Sequence, residues 1–289
     1  MSDAALSSPN RARRELGKAL RALRDQSGDT AEEVGAQIGL SSSQVTRIET
    51  GERTCSAKAF AALMDLYEVD DDRQTELEDL AKLARRRQQP WWQEQYGDTV
   101  SAKYARLLEY EHDATARLDY QTVLLPPHFQ TEGYARAVTA VGFAALGPDQ
   151  VDSLVEVRMI RQHRLRGENP LTVTAVVTQA ALDFHVGGLE VHKAQLRHLL
   201  EVTRLPNVSL RVIPYEQGEN GTQAGAFNIL QLPGDAPDVA FAESVAGNVI
   251  LEAPLDVRRL NRLFRNLADV ALDVEESHAL IQRVERDLT

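Results

Sequence analysis

The sequence predicts a multidomain protein: five α-helices over residues 1–88, then an α+β domain over residues 89–289. Three observations predict it. Amphipathic segments carrying helix-capping residues follow one another closely as far as Arg87. The pattern breaks at QQPWWQEQYGD, where Pro90 stops a helix and two tryptophans enter a polar stretch. Beyond residue 170, short β-branched and alternating runs lie between helical ones.

In the first helix Leu16, Leu20 and Leu23 recur at i, i+4 and i+7 within residues 14–27, one apolar stripe. Thr30 with Glu33 is a capping-box pair. It opens a second helix with Val34 and Ile38 inward, and Gly39 stops it. Ser41 with Gln44 repeats the device and opens a third helix, which buries Val45 and Ile48 and ends near Gly51. Ser56 caps a fourth, with Phe60, Leu63, Met64 and Tyr67 apolar. A fifth runs from about Asp71 to Arg87. Its acidic start (Asp70, Asp71, Asp72) and basic end (Arg85, Arg86, Arg87) suit the helix dipole, so the acid run reads as a helix start rather than a metal site.

In the second domain the pattern is helical over 101–120, 131–141, 149–166, 189–204, 255–272 and 275–287. Strands are expected at 171–178, 207–213, 226–232, 238–243 and 248–252. LRVIP and FNILQL alternate as half-buried strands do. Consecutive strands after residue 207 with short turns predict an antiparallel portion.

Hydrophobic residues at 43% and charged residues at 26% are globular values. No apolar run approaches the ~18 residues of a membrane span, and the N-terminal stretch lacks the apolar segment of a secretory signal. The single Cys55 rules out an internal disulfide and a multi-cysteine metal cage. A cytoplasmic location is expected. A net charge of -11 argues against nucleic acid as a general partner, because phosphate is neutralised by Lys and Arg. The distribution says otherwise. Residues 11–24 carry six basic side chains against one acidic, whereas residues 89–289 carry 18 basic against 27 acidic.

Two short capped helices joined by a tight turn form a helix-turn-helix, whose second helix enters the major groove of DNA. With Val45 and Ile48 inward, the outer face of that helix carries Ser42, Ser43, Thr46, Arg47 and Thr50. Short hydroxyls permit close approach, and Arg47 can meet a guanine edge with two hydrogen bonds. Gln44 is a cap first and a DNA contact second. Arg13 on the basic first helix and Arg53 beyond the reading helix are expected to face DNA as well. The small basic patch implies few phosphate contacts per copy. Two copies on an inverted-repeat operator, a homodimer on double-stranded DNA, are therefore expected.

The stretch LGKALRALRDQSGDTAEEVGAQIGLSSSQVTRIETGER resembles the Cro/repressor-like (XRE) helix-turn-helix family over about residues 14–70. LGKALRALR, the two capped helices around IGLSS and the RIETGER ending carry the resemblance. It implies a five-helix DNA-binding domain. It also implies that Arg24 pairs with Glu49 as a partly buried strut. Ala31 stands where many members place a DNA-contacting Gln at the start of the second helix.

Candidate chemistry in the second domain is sparse. The seven histidines are scattered and none pairs at i, i+4. Glu109, His112 and Asp113 share neighbouring turns, a possible metal set that reads instead as a solvated helix face. Arg158, Arg161, Arg164 and Arg166 read as salt-bridge partners of Glu156 and Asp152, rather than a surface for an acidic partner or ligand. Trp91 and Trp92 read as rings packed on the second domain. No catalytic constellation and no cofactor motif stands out, so neither enzyme activity nor a cofactor is expected.

WWQEQYGD, LLEYEHDA, LLPPHFQTEGYARAV, VRMIRQHRL, NVSLRVIPYEQGENGTQAGAFNIL and VAFAES together look like the C-terminal domain of WhiJ-like actinobacterial regulators. Where those carry Pro-Gly-Leu-Leu-Gln-Thr, this chain has Pro126-Pro127-His128-Phe129-Gln130-Thr131. The resemblance implies a transcription regulator with a sensing, antitoxin-type second domain, and often a small acidic partner protein. The expected function is a sequence-specific homodimeric repressor controlled through its α+β sensor or dimerisation domain, by a partner or a small-molecule effector. The alternative is an antitoxin-like regulator that acts on a small partner protein and binds DNA only to regulate itself.

Overall fold

A computed structural model describes residues 8–86, 90–141, 146–222, 224–234, 236–243 and 249–288. The chain divides into two units, Met1–Pro90 and Trp91–Thr289. The boundary expected at residue 88, like Arg87, lies outside the described residues.

The first unit is all helical: α1 (Pro9–Ser27), α2 (Ala31–Ile38), α3 (Ser42–Glu49), α4 (Ala57–Leu66) and α5 (Asp71–Ala84). Each start has a side-chain cap, from Ser8, Thr30, Ser41, Ser56 and Asp70 in turn. Each cap accepts a backbone N–H that the first helical turn leaves without a partner. The Ser8 cap and Pro9 start α1 five residues ahead of the apolar stripe that begins near residue 14. Gly28 and Gly39, at φ 81° and 71°, end α1 and α2 in the left-handed conformation. Leu16, Leu20, Val34, Val45, Ile48, Phe60, Met64 and Leu77 make one buried core.

The second unit contains α6 (Gln93–Tyr96), α7 (Ala102–Asp113), β1 (Ala116–Gln121), α8 (Glu132–Ala140), α9 (Pro148–Gln162), β2 (Thr172–Thr178), α10 (Ala180–Asp183), α11 (Leu189–Val202), β3 (Val208–Ile213), α12 (Gly218–Thr222), β4 (Phe227–Gln231), β5 (Val239–Ala242), β6 (Val249–Leu251), α13 (Pro254–Val270) and α14 (Val274–Asp287). The strands form a mixed sheet in the order β3-β2-β1-β4-β5-β6. β3, β2 and β1 are parallel; β4, β5 and β6 continue antiparallel. α13 covers one face through Val257, Phe264 and Leu267, which pack on Tyr120, Val176 and Phe227. The other face packs Val173, Ala175 and Val177 against Tyr134 of α8, Leu196 and Leu199 of α11 and Leu280 of α14.

Two expectations are corrected. The helix expected over 101–120 ends at Asp113, and ARLDYQ is the third strand of the sheet, hydrogen-bonded on both sides. Strand preference depends on neighbours, and the partners of β1 lie some 50 and more than 100 residues away. The antiparallel portion begins with β4, since β3 pairs with β2 in parallel. Trp92 is buried with Tyr96, Val100, Leu108 and Val157, while Trp91 meets its ring edge-on at 5.6 Å. Among the described residues no helix is long and apolar enough to cross a membrane.

Candidate nucleic-acid interface

The reading helix is held from three directions. At its start Ser41 Oγ accepts the Gln44 amide at 3.3 Å, and Gln44 Oε1 accepts the Ser41 amide at 3.0 Å. Behind it, a Cβ on Gly17 of α1 would lie 2.5 Å from the Glu49 carbonyl oxygen and 2.6 Å from that of Ile48. Only glycine lets α1 and α3 approach so closely. Beside it, Arg24 Nε donates to Glu49 Oε1 at 2.6 Å and its terminal nitrogen to Glu49 Oε2 at 3.0 Å. Arg24 also donates to the Asp29 carbonyl at 3.0 Å, tying the α1–α2 turn to the same guanidinium. The hydrogen bond to Glu49 raises the Arg24 pKa above its ordinary value, against the effect of burial.

With Val45 and Ile48 buried, Ser42, Ser43, Thr46 and Arg47 are exposed on α3. The Ser43 and Thr46 hydroxyls are already in local hydrogen bonds. Thr46 Oγ1 donates to the Ser42 carbonyl at 3.0 Å, and Ser43 Oγ lies 3.0 Å from Ser41 Oγ. The Gln44 side chain is half-buried and its oxygen is spent on the cap, which leaves its amide nitrogen for another acceptor. The Arg47 guanidinium is exposed, 3.7 Å from Glu52. Arg53 is exposed too, and its amide is fixed to the Arg47 carbonyl at 2.8 Å.

The basic run 11–24 is less available than its count suggests. Arg11 is buried and meets Glu15 at 2.7 Å; Arg14 is buried against the turn at Gly51; Arg24 is spent on Glu49. Arg13 is half-buried and donates to Asn10. Lys18 and Arg21 remain exposed on this helix.

The second unit holds a buried polar network that the sequence did not bring together. Glu111 of α7, 2% exposed, receives Arg161 Nε and a terminal nitrogen at 2.7 Å each, and Arg117 at 3.0 Å. Arg117 also donates to Asp119 at 2.6 Å, and Gln121 donates to Asp119 and Glu243 at 3.1 Å each. Burial alone would raise the Glu111 carboxyl; the Arg161 and His128 charges outweigh it and hold the group well below the usual carboxylate range. His128 is 1% exposed, with Nε2 3.4 Å from Glu111 but neither ring nitrogen in a hydrogen bond. Burial lowers its pKa.

The expected partners of Arg161, Glu156 and Asp152 on its own helix, are therefore corrected to Glu111 on α7. Asp152 pairs with Arg136 of α8, and Arg164 donates to the Ala114 carbonyl at 2.7 Å. Side chains i, i+4 on a helix meet only when neither has a better partner across the core. One signal for the network was available. Arg117, Asp119 and Gln121 alternate with Leu118 and Tyr120, as a strand does. Among the described residues no group of His, Cys, Asp or Glu is placed to hold a metal ion.

Two short capped helices, the second packed at glycine distance on α1 and presenting a polar face, define a helix-turn-helix DNA-binding domain attached to a mixed α/β domain. Comparison with known families agrees on both parts. A model described as "Helix-turn-helix domain" matches residues 15–77, and one described as "Domain of unknown function (DUF5753)" matches residues 104–283. The second match spans more than half of the chain, and the chain belongs to the DUF5753 family. No curated protein and no solved structure matches it.

Proposed function

We propose that the chain is a sequence-specific transcription regulator. It acts as a homodimeric repressor on an inverted-repeat operator, and its second domain is the controlling element rather than a catalyst. The observation that carries the reading is the exposed α3 face of Ser42, Ser43, Thr46 and Arg47, on a helix fixed by the Arg24–Glu49 pair. A rigid helix presenting small hydroxyls and one exposed guanidinium suits base-edge contact in the major groove. The resemblance to WhiJ-like regulators supports the same reading.

Dimerisation follows from charge. Residues 1–88 carry 14 basic against 16 acidic side chains, and Arg11, Arg14 and Arg24 turn inward. So small a footprint releases few counterions and gives one copy little affinity at physiological salt. Selection of bound sequences from a random DNA pool, then titration of the selected site with sedimentation of the complex, tests the proposal. An enriched inverted repeat occupied by two chains is expected. No enrichment, or a single chain on a half-site, overturns it.

A further inference from the structure

A cleft of about 720 Å³ opens over the C-terminal end of β1. Small-molecule sites commonly occupy about 300–1,000 Å³, mostly apolar with a few placed polar groups. Arg117, Gln121 and Asn228 form its floor, and Arg158 and Arg161 of α9 stand at its side. Leu107, Leu124, Val138 and Leu154 give it an apolar end.

The floor is costly. Arg117, Asp119 and Gln121 are three alternate positions on one face of a strand in the middle of the sheet, and register adds Asn228 beside Asp119. The neighbouring strand places Val173, Ala175 and Val177 on that same face. Buried polar groups destabilise a core unless paired, and rule-breaking positions concentrate where proteins function.

Most of these charges are matched. Glu111 and Asp119 neutralise Arg117 and Arg161. Arg158 is the exception. Among the described residues it reaches no carboxylate at ion-pair distance; it donates to the neutral Gln130 oxygen at 2.8 Å, and its Nε is buried without an acceptor. Asn228 is 2% exposed, and its Oδ1 is buried without a donor. The cleft thus has a cation with no carboxylate in contact, attracted through space by Glu243 of the same lining, an acceptor without a donor, and an apolar end.

We propose that this cleft is a small-molecule site for an amphipathic carboxylic acid that also carries a hydrogen-bond donor. The carboxylate sits on Arg158, the donor on Asn228 Oδ1, and the hydrocarbon body lies against Leu124, Val138 and Leu154. The inference concerns binding alone. It goes beyond the regulatory reading and is tested without DNA, so the two can fail separately.

Calorimetric titration of the full chain with 3-hydroxyoctanoate, octanoate, 1,3-octanediol and octylamine decides it. Saturable binding of the hydroxy acid is expected, with the diol about tenfold weaker and the amine unbound, since a charge-assisted hydrogen bond is among the stronger polar contacts. Arg158→Met should bring the hydroxy acid to the level of the diol and leave the diol unchanged. Asn228→Leu should bring it to the level of octanoate. Absence of saturable heat with millimolar hydroxy acid overturns the proposal. So does equal affinity for acid, diol and amine, equal affinity for octanoate and its hydroxy form, or an Arg158→Met protein that binds acid like the wild type. The ligand series on the wild type stands even where a variant fails to fold.

Discussion

Arg24 and Glu49, 25 residues apart, form a two-pronged ion pair whose side chains are 14% and 7% exposed. The pair fastens the last residue of the reading helix to the last turn of the first helix. Losing one partner of such a pair leaves the other charge buried and uncompensated, at a cost of about 3–5 kcal/mol. Glu49→Ala is therefore expected to lower the midpoint of helical unfolding, followed by circular dichroism. The double variant Arg24→Met/Glu49→Leu should recover most of the loss, because no stranded charge remains. An unchanged midpoint in Glu49→Ala would return Glu49 to the role of a surface residue.

Gly17→Ala tests the close contact behind α3. The added methyl would meet two backbone oxygens, Glu49 at 2.5 Å and Ile48 at 2.6 Å, which cannot rotate away. Overpacking of this kind costs about 1–3 kcal/mol. The expected outcome is lower stability of the first unit together with weaker DNA binding, since α3 itself must shift. Wild-type stability in a melt would show that α1 and α3 have room to part.

Arg47→Ala and Arg13→Ala should separate reading from attraction. Arg47 is exposed on α3 and is expected to lose about 1–3 kcal/mol of discrimination at one position of the operator. Arg13, on the basic helix and half-buried beside Asn10, should weaken all DNA alike and flatten the salt dependence. Competition binding at two salt concentrations gives both readouts. An Arg47→Ala protein with unchanged sequence preference sinks the recognition-face assignment.

Acid should loosen the second unit in two stages. The folded pKa of His128 is lowered, so its contribution is full above the unfolded value of about 6.5 and is lost as pH falls through the folded one. Glu111 is also lowered, so its contribution holds above about 4.3 and disappears at lower pH. Both tryptophans, Trp91 and Trp92, lie in this unit, and their fluorescence follows its unfolding in urea. His128→Leu removes the upper stage and, by deleting two unsatisfied buried nitrogens, should stabilise the unit at neutral pH by about 1–3 kcal/mol. A wild-type upper stage in His128→Leu would assign it to another group.

The first unit was legible residue by residue. Its helix starts at Thr30, Ser41, Ser56 and Asp70, its stop at Gly39 and its inward Val45 and Ile48 are local devices, each acting within about one helical turn. Five helices and an exposed α3 face follow from them directly. What the spacing could not supply was the spending of charge. Six basic residues in 11–24 look like a patch, yet Arg11, Arg14 and Arg24 are turned inward by packing against Glu15, Gly51 and Glu49.

In the second unit the sequence by itself determined the periodic helices and the β-branched strands from β2 onward, because each keeps one period over its own length. Only the tertiary structure decided that ARLDYQ is a central strand, and that Glu111 joins Arg117 and Arg161 beneath a cleft. A strand flanked by partners at residues 172–177 and 227–231 has its conformation set by those hydrogen bonds, not by its own residues. A carboxylate met by Arg161, 50 residues further on, leaves no trace in i, i+4 spacing. Burial in a low-dielectric interior makes such distant charges choose one another, and that choice exists only once the sheet and its helices have closed around them.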